Sequence, residues 1–422
     1  MRRRTVRALA IGAMLPAALG VAACGKSNGG GGGSSSGDVK AGPGIAGKTI
    51  TLGVQTDLSG VFAALASVVT QANQLYWKQQ NAAGGVCGRT VKLIVKDHGY
   101  DPQTAVTQYR DISSEVAALQ QVVGSPISAA LLPTWKRDDM LALLAAWPPT
   151  LLDNDNVGII GASYDLEAIN GIDWLMKNKG LKSGDKIGDL YFEGDYGEGG
   201  LIGVKYAAKQ HGLTVVEQKI KATDTDMSGQ ISAFKRAGVK AIWLTVGPKQ
   251  LASAAGVAKA QGLNVPLAGN GPIFSPLLLG TAVGKTLEQN LTTFASIAPI
   301  SLDNAAVKKA ATEFHAQYPK VPPQQSVTTG WAMGEVMNQV LKKACDNKDL
   351  TRTGMVNAFR SLDNVDTGGL VAQPLDFTNL GQAAEKGVYV IGVDKNAAGG
   401  QKAIGGVYTS PTAKNYNESS TQ

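Results

Sequence analysis

From residue 48 onward, short apolar runs alternate with longer segments whose apolar residues recur at helical spacing. The runs "KTITLGV" (48–54), "RTVKLIVKD" (89–97) and "VKAIWLTVG" (239–247) are rich in β-branched residues and predict strands. Nearly continuous apolar strands separated by amphipathic helices are typical of parallel sheets that are covered on both faces. The pattern is interrupted near "NVGIIGASYD" (156–165). The sequence therefore predicts an α/β fold of two doubly wound parallel-sheet lobes.

The loops that follow the predicted strands are the first candidates for a ligand site. In open α/β sheets, ligands bind beyond the carboxyl ends of the strands, where these loops meet. Ser128 in "VGSPISAA" (123–130) is expected to place a hydroxyl beside the free N–H groups of a helix. Tyr196 in "EGDYGEGG" (193–200) offers a flat ring with a hydroxyl. Loops of the same kind supply four further candidate contacts, namely Phe62, Leu65, Gly247 and Asn270.

The first 46 residues differ in character from the rest of the chain. Residues 1–23 combine four arginines, a short apolar stretch and small residues before Cys24, as in a secretory signal peptide. The ending "VAAC" (21–24) resembles the lipobox of bacterial lipoproteins, whose cysteine receives a diacylglyceryl group, and two acyl chains suffice for stable anchoring. Residues 24–46 contain a Gly/Ser run and predict a flexible tether. An ordinary signal peptide that happens to contain a cysteine is the alternative.

Composition and charge argue against several classes of function. The formal charge of +7 falls to +3 once the four arginines of residues 1–23 are left aside, which disfavours nucleic acid as a partner. The three histidines, His98, His211 and His315, are too widely separated in sequence to suggest a metal site. "GTAVGKT" (280–286) has three residues between its glycines where a P-loop needs four. We therefore expect no enzymatic activity, no metal and no cofactor.

Several blocks of the sequence resemble the branched-chain amino-acid binding proteins of ABC importers, the Leu/Ile/Val-binding type of periplasmic receptor. The first block is "NAAGGVCGRTVKLIVKDHGYDPQTAV", and "LGVQTDLSG", "VVGSPIS", "DYGEGG" and "DTDMSGQISAFKRAGVKAIWL" match further blocks in order. The resemblance covers residues from about 48 to 395. It implies the type I periplasmic binding protein fold, in which two lobes enclose a ligand cleft and three crossing strands form the hinge between the lobes. The implied segments are 47–163 plus 299–385 for lobe I, 164–298 plus 386–408 for lobe II, and 409–422 for a polar C-terminal tail.

The resemblance also implies roles for individual residues. Ser128 matches the family serine that hydrogen-bonds a ligand carboxylate, Tyr196 matches a tyrosine that covers the ligand from the other lobe, and Trp331 lies close to a cleft aromatic. The chain departs from the family at "AAWPPT" (145–150), where Trp147 adds a ring and two prolines lack the N–H groups that would bind a carboxylate. "AGNGPIF" (268–274) lacks the acidic residue that pairs with a ligand ammonium, which disfavours an α-amino acid and favours a less polar, even aromatic, solute.

These features predict an extracytoplasmic solute-binding lipoprotein that is anchored through Cys24 to the outer face of the cell membrane. As a monomer, it would capture a small organic solute between its lobes and deliver it to the permease and ATPase subunits of an ABC importer. A lipoprotein that senses a ligand for a membrane receptor and a secreted hydrolase are the alternatives. Export also favours a disulfide between Cys87 and Cys345, which the resemblance assigns to one lobe. Two separate buried thiols are the alternative to that bond.

Overall fold

The computed structural model describes residues 39–418, so the predicted signal peptide, Cys24, most of the predicted tether and the last four residues lie outside the described residues. The strands are β1 (Lys40–Ala41), β2 (Ile45–Ala46), β3 (Thr49–Thr56), β4 (Thr90–Asp97), β5 (Ala118–Val122), β6 (Ala142–Leu144), β7 (Val157–Ile159), β8 (Lys186–Phe192), β9 (Thr214–Ile220), β10 (Ala241–Thr245), β11 (Leu267–Asn270), β12 (Leu291–Ala295), β13 (Asp349–Leu350), β14 (Val388–Val393) and β15 (Gln401–Tyr408). The helices are α1 (Ala63–Ala82), α2 (Pro102–Ile112), α3 (Ser125–Arg137), α4 (Tyr164–Lys179), α5 (Asp195–His211), α6 (Ser228–Ala237), α7 (Pro248–Ala260), α8 (Gly284–Asn290), α9 (Ala305–Gln317), α10 (Gln325–Asp346), α11 (Arg352–Arg360) and α12 (Pro411–Asn415). Between residues 39 and 418, no helix combines the length and the hydropathy that a membrane span requires.

The longer strands form two sheets with the same topology. In the first sheet the parallel order is β4-β3-β5-β6-β7, and β2 pairs antiparallel with β3. In the second sheet the parallel order is β9-β8-β10-β11-β12, followed by the antiparallel strands β14 and β15. In each sheet, the second parallel strand in chain order (β4 or β9) pairs with the first (β3 or β8) on one side, and the third (β5 or β10) pairs with the first on the other side. The direction in which strands are added therefore reverses between the first and third strands. Ligands of doubly wound folds bind at such a switch point.

Local sequence explains where several helices begin and end. Asp101 caps α2 by accepting a hydrogen bond from the Thr104 N–H at 2.7 Å, and Pro102 occupies the first helical position, where its missing N–H costs nothing. Three successive helices, α4, α5 and α6, end at glycines in the left-handed conformation, namely Gly180, Gly212 and Gly238. The capping residues therefore fix where these helices begin or end, and the next parallel strand follows each helix.

Helices α1 and α10 pack side by side against the first sheet. Their close approach depends on glycine, because a Cβ at Gly334 would lie 2.5 Å from ring atoms of Tyr76. Near the ends of these helices, Cys87 and Cys345 form a disulfide with their Cα atoms 6.5 Å apart, which is the pairing expected from the sequence. The bond links two segments of the same lobe that are 258 residues apart along the chain.

Three segments of the chain cross between the lobes and are hydrogen-bonded to one another. We define lobe I as the first sheet with α1–α3 and α9–α11, and lobe II as the second sheet with α4–α8 and α12. In the crossings, the Ala162 N–H donates to Ser296 Oγ at 2.7 Å and to Glu385 Oε1 at 3.2 Å. Ser296 Oγ also donates to Gly387 O at 3.3 Å. These contacts form a hinge in which one carboxyl and one hydroxyl connect all three crossings.

Two terminal segments differ from the expectation. Residues 40–46, predicted as tether, belong to lobe I, because β1 pairs with β13 and Ile45 packs against the hydrophobic core. Residues 409–418, predicted as a polar tail, pack on lobe II instead. Tyr416 is only 1% exposed there, and its hydroxyl donates to Asp165 Oδ2 at 2.7 Å. Ile45 in the first segment, and Ala413 with Tyr416 in the second, provide the apolar contacts that dock the backbone.

Candidate functional site

The carboxyl ends of both parallel sheets face one cavity between the lobes. It is a concave space of about 900 Å³, part of which is open to solvent. Lobe I supplies the loops after β3, β4, β5 and β6, and lobe II supplies those after β8 and β11, as the switch-point rule indicates. The walls are mainly apolar, and their principal apolar side chains are those of Phe62, Leu65, Val69, Trp147, Phe274 and Ile297.

Aromatic rings from both lobes meet at this cavity around Phe62. The centroid of the Phe62 ring lies 5.1 Å from that of Tyr100 in lobe I. Across the cleft it lies 5.8 Å from the Tyr196 ring and 6.4 Å from the Phe192 ring, and all three contacts are edge-to-face. Tyr196 also packs on Tyr164, with the ring centroids 4.9 Å apart. Edge-to-face pairs add to the energy of apolar burial, so Phe62 forms part of the wall and also joins the lobes.

The turn between β5 and α3 places a serine hydroxyl at the cavity. Gly124 has a φ of 101°, and a Cβ there would lie 2.9 Å from the Tyr100 ring, so the turn requires glycine. Ser125 then begins α3, where it is 1% exposed and lines the cavity. Its Oγ has no hydrogen-bond partner in the described part of the chain. Because a buried hydroxyl without a partner is costly, this atom is suited to bind a ligand.

Among the described residues, Glu167 on α4 contributes the one carboxyl group of the cavity lining. Asn270 Nδ2 donates to its Oε2 at 2.6 Å, whereas its Oε1 has no hydrogen-bond partner within residues 39–418. Burial raises the pKa of Glu167 well above its usual range, and the nearby Glu385 carboxyl raises this pKa further. The Asn270 amide and the neighbouring N–H groups of Ser296 and Gly271 offset only part of that effect. The protonated form of Glu167 is therefore favoured.

Within residues 39–418, no positively charged side chain lines the cavity beside this carboxyl group. Of the described residues that line the cavity, none is Lys or Arg. Burial raises the pKa of Tyr164 and that of Tyr100, so both hydroxyls keep their protons and can donate hydrogen bonds. Elsewhere in residues 39–418, no three His, Cys, Asp or Glu side chains lie close enough together to hold a metal ion. The arrangement suits an amphipathic molecule whose polar end meets neutral donors.

Four residues predicted from the sequence line this cavity. Phe62 precedes the first turn of α1 and Leu65 lies within that turn. Trp147 follows β6 and is 7% exposed. Tyr196 lies in the first turn of α5 and is part of the cavity lining, and its hydroxyl donates to Val246 O at 3.2 Å.

Two other candidates, Ser128 and Trp331, do not line the cavity. Ser128 lies one turn inside α3, and its hydroxyl donates to Gly124 O at 3.0 Å, the usual back-bond of a serine in a helix. Trp331 is 2% exposed and packs edge-to-face against Tyr76 within lobe I, with the centroids 5.7 Å apart. Both side chains are therefore occupied by contacts inside their own lobe.

Gly247 and Asn270 also lie outside the cavity walls, although both are near the cleft. Gly247 precedes α7, and a Cβ there would lie 3.2 Å from Val61 Cγ2 of lobe I, so it permits close contact between the lobes. Asn270 is fully buried behind the cavity. Its Oδ1 accepts a hydrogen bond from Thr245 Oγ1 at 3.0 Å while its Nδ2 donates to Glu167. Asn270 thus orients the carboxyl group that does line the cavity.

Sequence reasoning did not identify Ser125, Tyr100, Tyr164 or Glu167. Ser125 is part of the loop that was examined, but it lies at the start of the helix, whereas Ser128 lies a turn further in. Tyr164 and Glu167 belong to the first turn of α4, which follows a crossing between the lobes. The loop 268–274 indeed has no acidic residue, but α4 brings one to the same place. Neither periodicity nor spacing signals such a carboxyl group.

Comparisons with known proteins agree with this architecture. A family model described as periplasmic binding protein matches residues 49–401. The structure of a fatty acid ABC transporter substrate-binding protein from Thermomonospora curvata is 43% identical, with a TM-score of 0.87 over 90% of this chain and 97% of that chain. The structure of a branched chain amino acid ABC transporter from Thermus thermophilus with bound valine is 16% identical, with a TM-score of 0.76 over 88% of this chain and 99% of that chain. These likenesses confirm the predicted α/β fold of two doubly wound lobes.

One curated relative also matches part of the chain. It is the Leu/Ile/Val-binding protein homolog 3 of Brucella melitensis, which is 25% identical over 201 residues. The alignment covers 46% of this chain and 53% of the relative, so it spans about half the length of each.

Proposed function

Because the chain belongs to the periplasmic binding protein family, we propose that it is the solute-binding subunit of an ABC importer and that its solute is a fatty acid. The observation that carries this proposal is the cavity, which combines long apolar walls with a few buried neutral donors and, among the described lining residues, no Lys or Arg. The Thermomonospora curvata protein, which is 43% identical, is named for fatty acids, and this supports the same class of solute here.

The energetics of the walls favour an aliphatic tail. Each methylene group that moves from water into an apolar site gains about 0.8 kcal/mol, so an alkyl chain along Leu65, Val69 and Ile297 is stabilised in proportion to its length. A branched-chain amino acid has few methylene groups and would bring both an ammonium and a carboxylate into an apolar cavity, which is unfavourable without partners for both charges. A fatty acid has only one polar end to satisfy.

The two-lobed architecture supports a capture-and-delivery role. Opening at the hinge would separate Phe62 from Tyr196 and Phe192 and would expose the cavity, whereas closure would bury the solute between the lobes. The predicted lipid on Cys24 and the tether behind it would hold the protein on the extracytoplasmic face of the membrane, beside the permease and ATPase subunits that receive the solute.

The test is a titration of the purified, unlipidated protein with solutes that differ in one property. We expect saturable binding of straight-chain fatty acids, with an affinity that increases with chain length until the cavity is filled. Valine and benzoate should bind more weakly by at least an order of magnitude, because each fills less of the apolar wall. Mass spectrometry under native conditions would identify a solute that co-purifies. Tight binding of valine without binding of fatty acids would refute the proposed solute.

A matched pair of leucine variants controls for non-specific adsorption of lipid. Leu65→Ala removes part of the cavity wall and should weaken binding on the order of tenfold, the equivalent of about 1.4 kcal/mol of apolar contact. Leu58→Ala removes a leucine that is 40% exposed and is not part of the wall, so its affinity should equal that of the wild type. Equal losses in the two variants would indicate adsorption rather than binding in the cavity.

A further inference from the structure

Three buried polar atoms of the described cavity lining have no hydrogen-bond partner, namely Ser125 Oγ, Glu167 Oε1 and Gln324 Oε1. Gln324 Oε1 is an amide oxygen that can only accept, so the two atoms able to donate to a carboxylate are those of Ser125 and of protonated Glu167, which come from different lobes. Ser125 Oγ comes from the start of α3 in lobe I, and Glu167 Oε1 comes from α4 in lobe II. Ser125 is 1% exposed and Glu167 is fully buried, and neither atom has a hydrogen-bond partner in the described part of the chain. Because buried polar atoms are nearly always hydrogen-bonded, these two atoms mark where the polar end of a solute would lie.

The charges around Glu167 decide which kind of polar end fits. The titratable groups that face it are the Glu385 carboxyl in the hinge and the hydroxyls of Tyr164 and Tyr196, and none of these carries a positive charge. A buried carboxylate without a cation is strongly disfavoured, so Glu167 is expected to hold a proton. A protonated carboxyl group has one O–H donor, whereas an ionised one can only accept.

We propose that protonated Glu167 donates a hydrogen bond from Oε1 to the carboxylate of the solute, while Ser125 Oγ donates a second one from the opposite lobe. This inference rests on the proposed function and names how its solute is recognised. One proton is shared by two carboxyl groups, and no other group has to supply or accept a proton. Hydrogen bonds from O–H to a carboxylate are short and about twice as strong as neutral ones, so they can replace the Arg or Lys that the described lining lacks.

This arrangement discriminates among head groups and makes binding depend on pH. Ionisation of Glu167 would place two anions against each other, so affinity for a carboxylate should fall as the pH rises. The affinity should be constant between the pKa of the fatty acid and the pKa of Glu167 in the free protein, and it should fall about tenfold per pH unit above the pKa of Glu167. An alkylammonium of the same chain length would find no negative charge at the protonated Glu167 and should bind more weakly.

The experiment compares decanoate, decanol and decylamine across a pH series by calorimetry, with the intact unlipidated protein. For the wild type we expect decanoate to bind most tightly. Above the pKa of Glu167 its affinity should decrease as the pH rises, and there binding should take up a proton, visible as a dependence of the heat on the buffer. Glu167→Gln keeps an acceptor for Asn270 and presents an N–H to the solute. Its affinity for decanoate should therefore no longer change with pH. Glu115→Gln, at an exposed position, should behave as the wild type.

Each outcome separates this inference from the proposed function. If decylamine binds more tightly than decanoate and Glu167→Gln abolishes its binding, Glu167 serves as an anion and the inference is wrong, although the apolar cavity still binds the chain. If decanoate binds with the same affinity at every pH in both proteins, the inference is also wrong. If none of the three ligands binds to the wild type, the proposed function fails and the inference fails with it. If the variant folds poorly, the order of the three ligands and the pH dependence of decanoate binding in the wild type still test the inference.

Discussion

The variant Glu385→Gln tests whether the carboxyl group of Glu385 in the hinge is protonated in the folded protein. Glu385 is 6% exposed and accepts hydrogen bonds from the Ala162 N–H at 3.2 Å and from the Gly387 N–H. Burial raises its pKa from 4.5 to about 8, although the Ser296 hydroxyl and the two N–H groups oppose that shift. The carboxyl groups of Glu385 and Glu167 also raise each other's cost of ionisation, because like charges repel.

The sign and size of the effect on stability follow from this shift. Below pH 4.5 the carboxyl group is protonated in both the folded and the unfolded state, so it adds no pH dependence. Between pH 4.5 and about 8 the unfolded state loses this proton while the folded state keeps it, and the protein becomes less stable as the pH rises. At 1.36 kcal/mol per unit, the cumulative loss from this single group reaches up to roughly 5 kcal/mol.

The assay is urea unfolding of the wild type and Glu385→Gln at several pH values. At low pH the variant should match the wild type within about 1 kcal/mol, because an amide replaces a protonated carboxyl group and at most one hydrogen bond changes. At pH 8 it should be more stable by several kcal/mol, up to roughly the 5 kcal/mol derived above. Glu115→Gln, at an exposed position, controls for the general effect of removing a charge. A difference between Glu385→Gln and the wild type that stays constant with pH would refute a protonated hinge carboxyl.

Three further predictions concern the lipid anchor at Cys24, the disulfide and the cavity serine Ser125. Cys24→Ala should move the protein from the membrane to the aqueous fraction, and the anchor is contradicted if the variant stays bound while the wild type carries no acyl mass. The denatured, unreduced protein should show no free thiol at Cys87 and Cys345, and replacing both with serine should lower the free energy of unfolding by up to about 5 kcal/mol in the chain-entropy model; two reactive thiols would exclude the bond. Ser125→Ala should weaken fatty-acid binding about tenfold through the loss of about 1–1.5 kcal/mol of hydrogen bonding. Ser128→Ala should bind as the wild type because its hydroxyl is satisfied within α3, so equal losses in the two variants would argue against this assignment.

The fold could be predicted because it depends on repeated local patterns. Alternating apolar strands and amphipathic helices predicted two doubly wound sheets, and the carboxyl ends of the strands predicted the loops that meet at the cavity. Phe62, Leu65 and Tyr196, which follow parallel strands, were proposed in this way and line the cavity, whereas Trp147 was proposed from the departure of "AAWPPT" from the family pattern. Such positions depend on topology alone, and topology can be inferred from the order of the elements.

The direction of individual side chains could not be predicted in the same way. Ser125 and Ser128 both lie near the start of α3, about one helical turn apart. This difference decides that the Ser125 side chain lines the cavity, whereas the Ser128 hydroxyl donates to Gly124 O. Glu167 reaches the cavity because a crossing between lobes directs the start of α4 toward the cleft. Its role depends on contacts with Asn270, which is 103 positions away in sequence. Long-range contacts of this kind have no periodicity to be recognised.

The cavity and the hinge are linked through the pair of acids that they contain. Glu167 lines the cavity and Glu385 joins the three crossings, and each lies close enough to the other for their charges to interact. When two buried acids interact, their protons are lost in steps that belong to the pair, so ionising one makes ionising the other more difficult. A solute carboxylate bound beside protonated Glu167 would bring a negative charge close to Glu385 and would favour the protonated form of Glu385. Binding of such a solute would therefore change the electrostatic environment of the hinge, and by linkage the protonation of Glu385 would change the affinity for the solute.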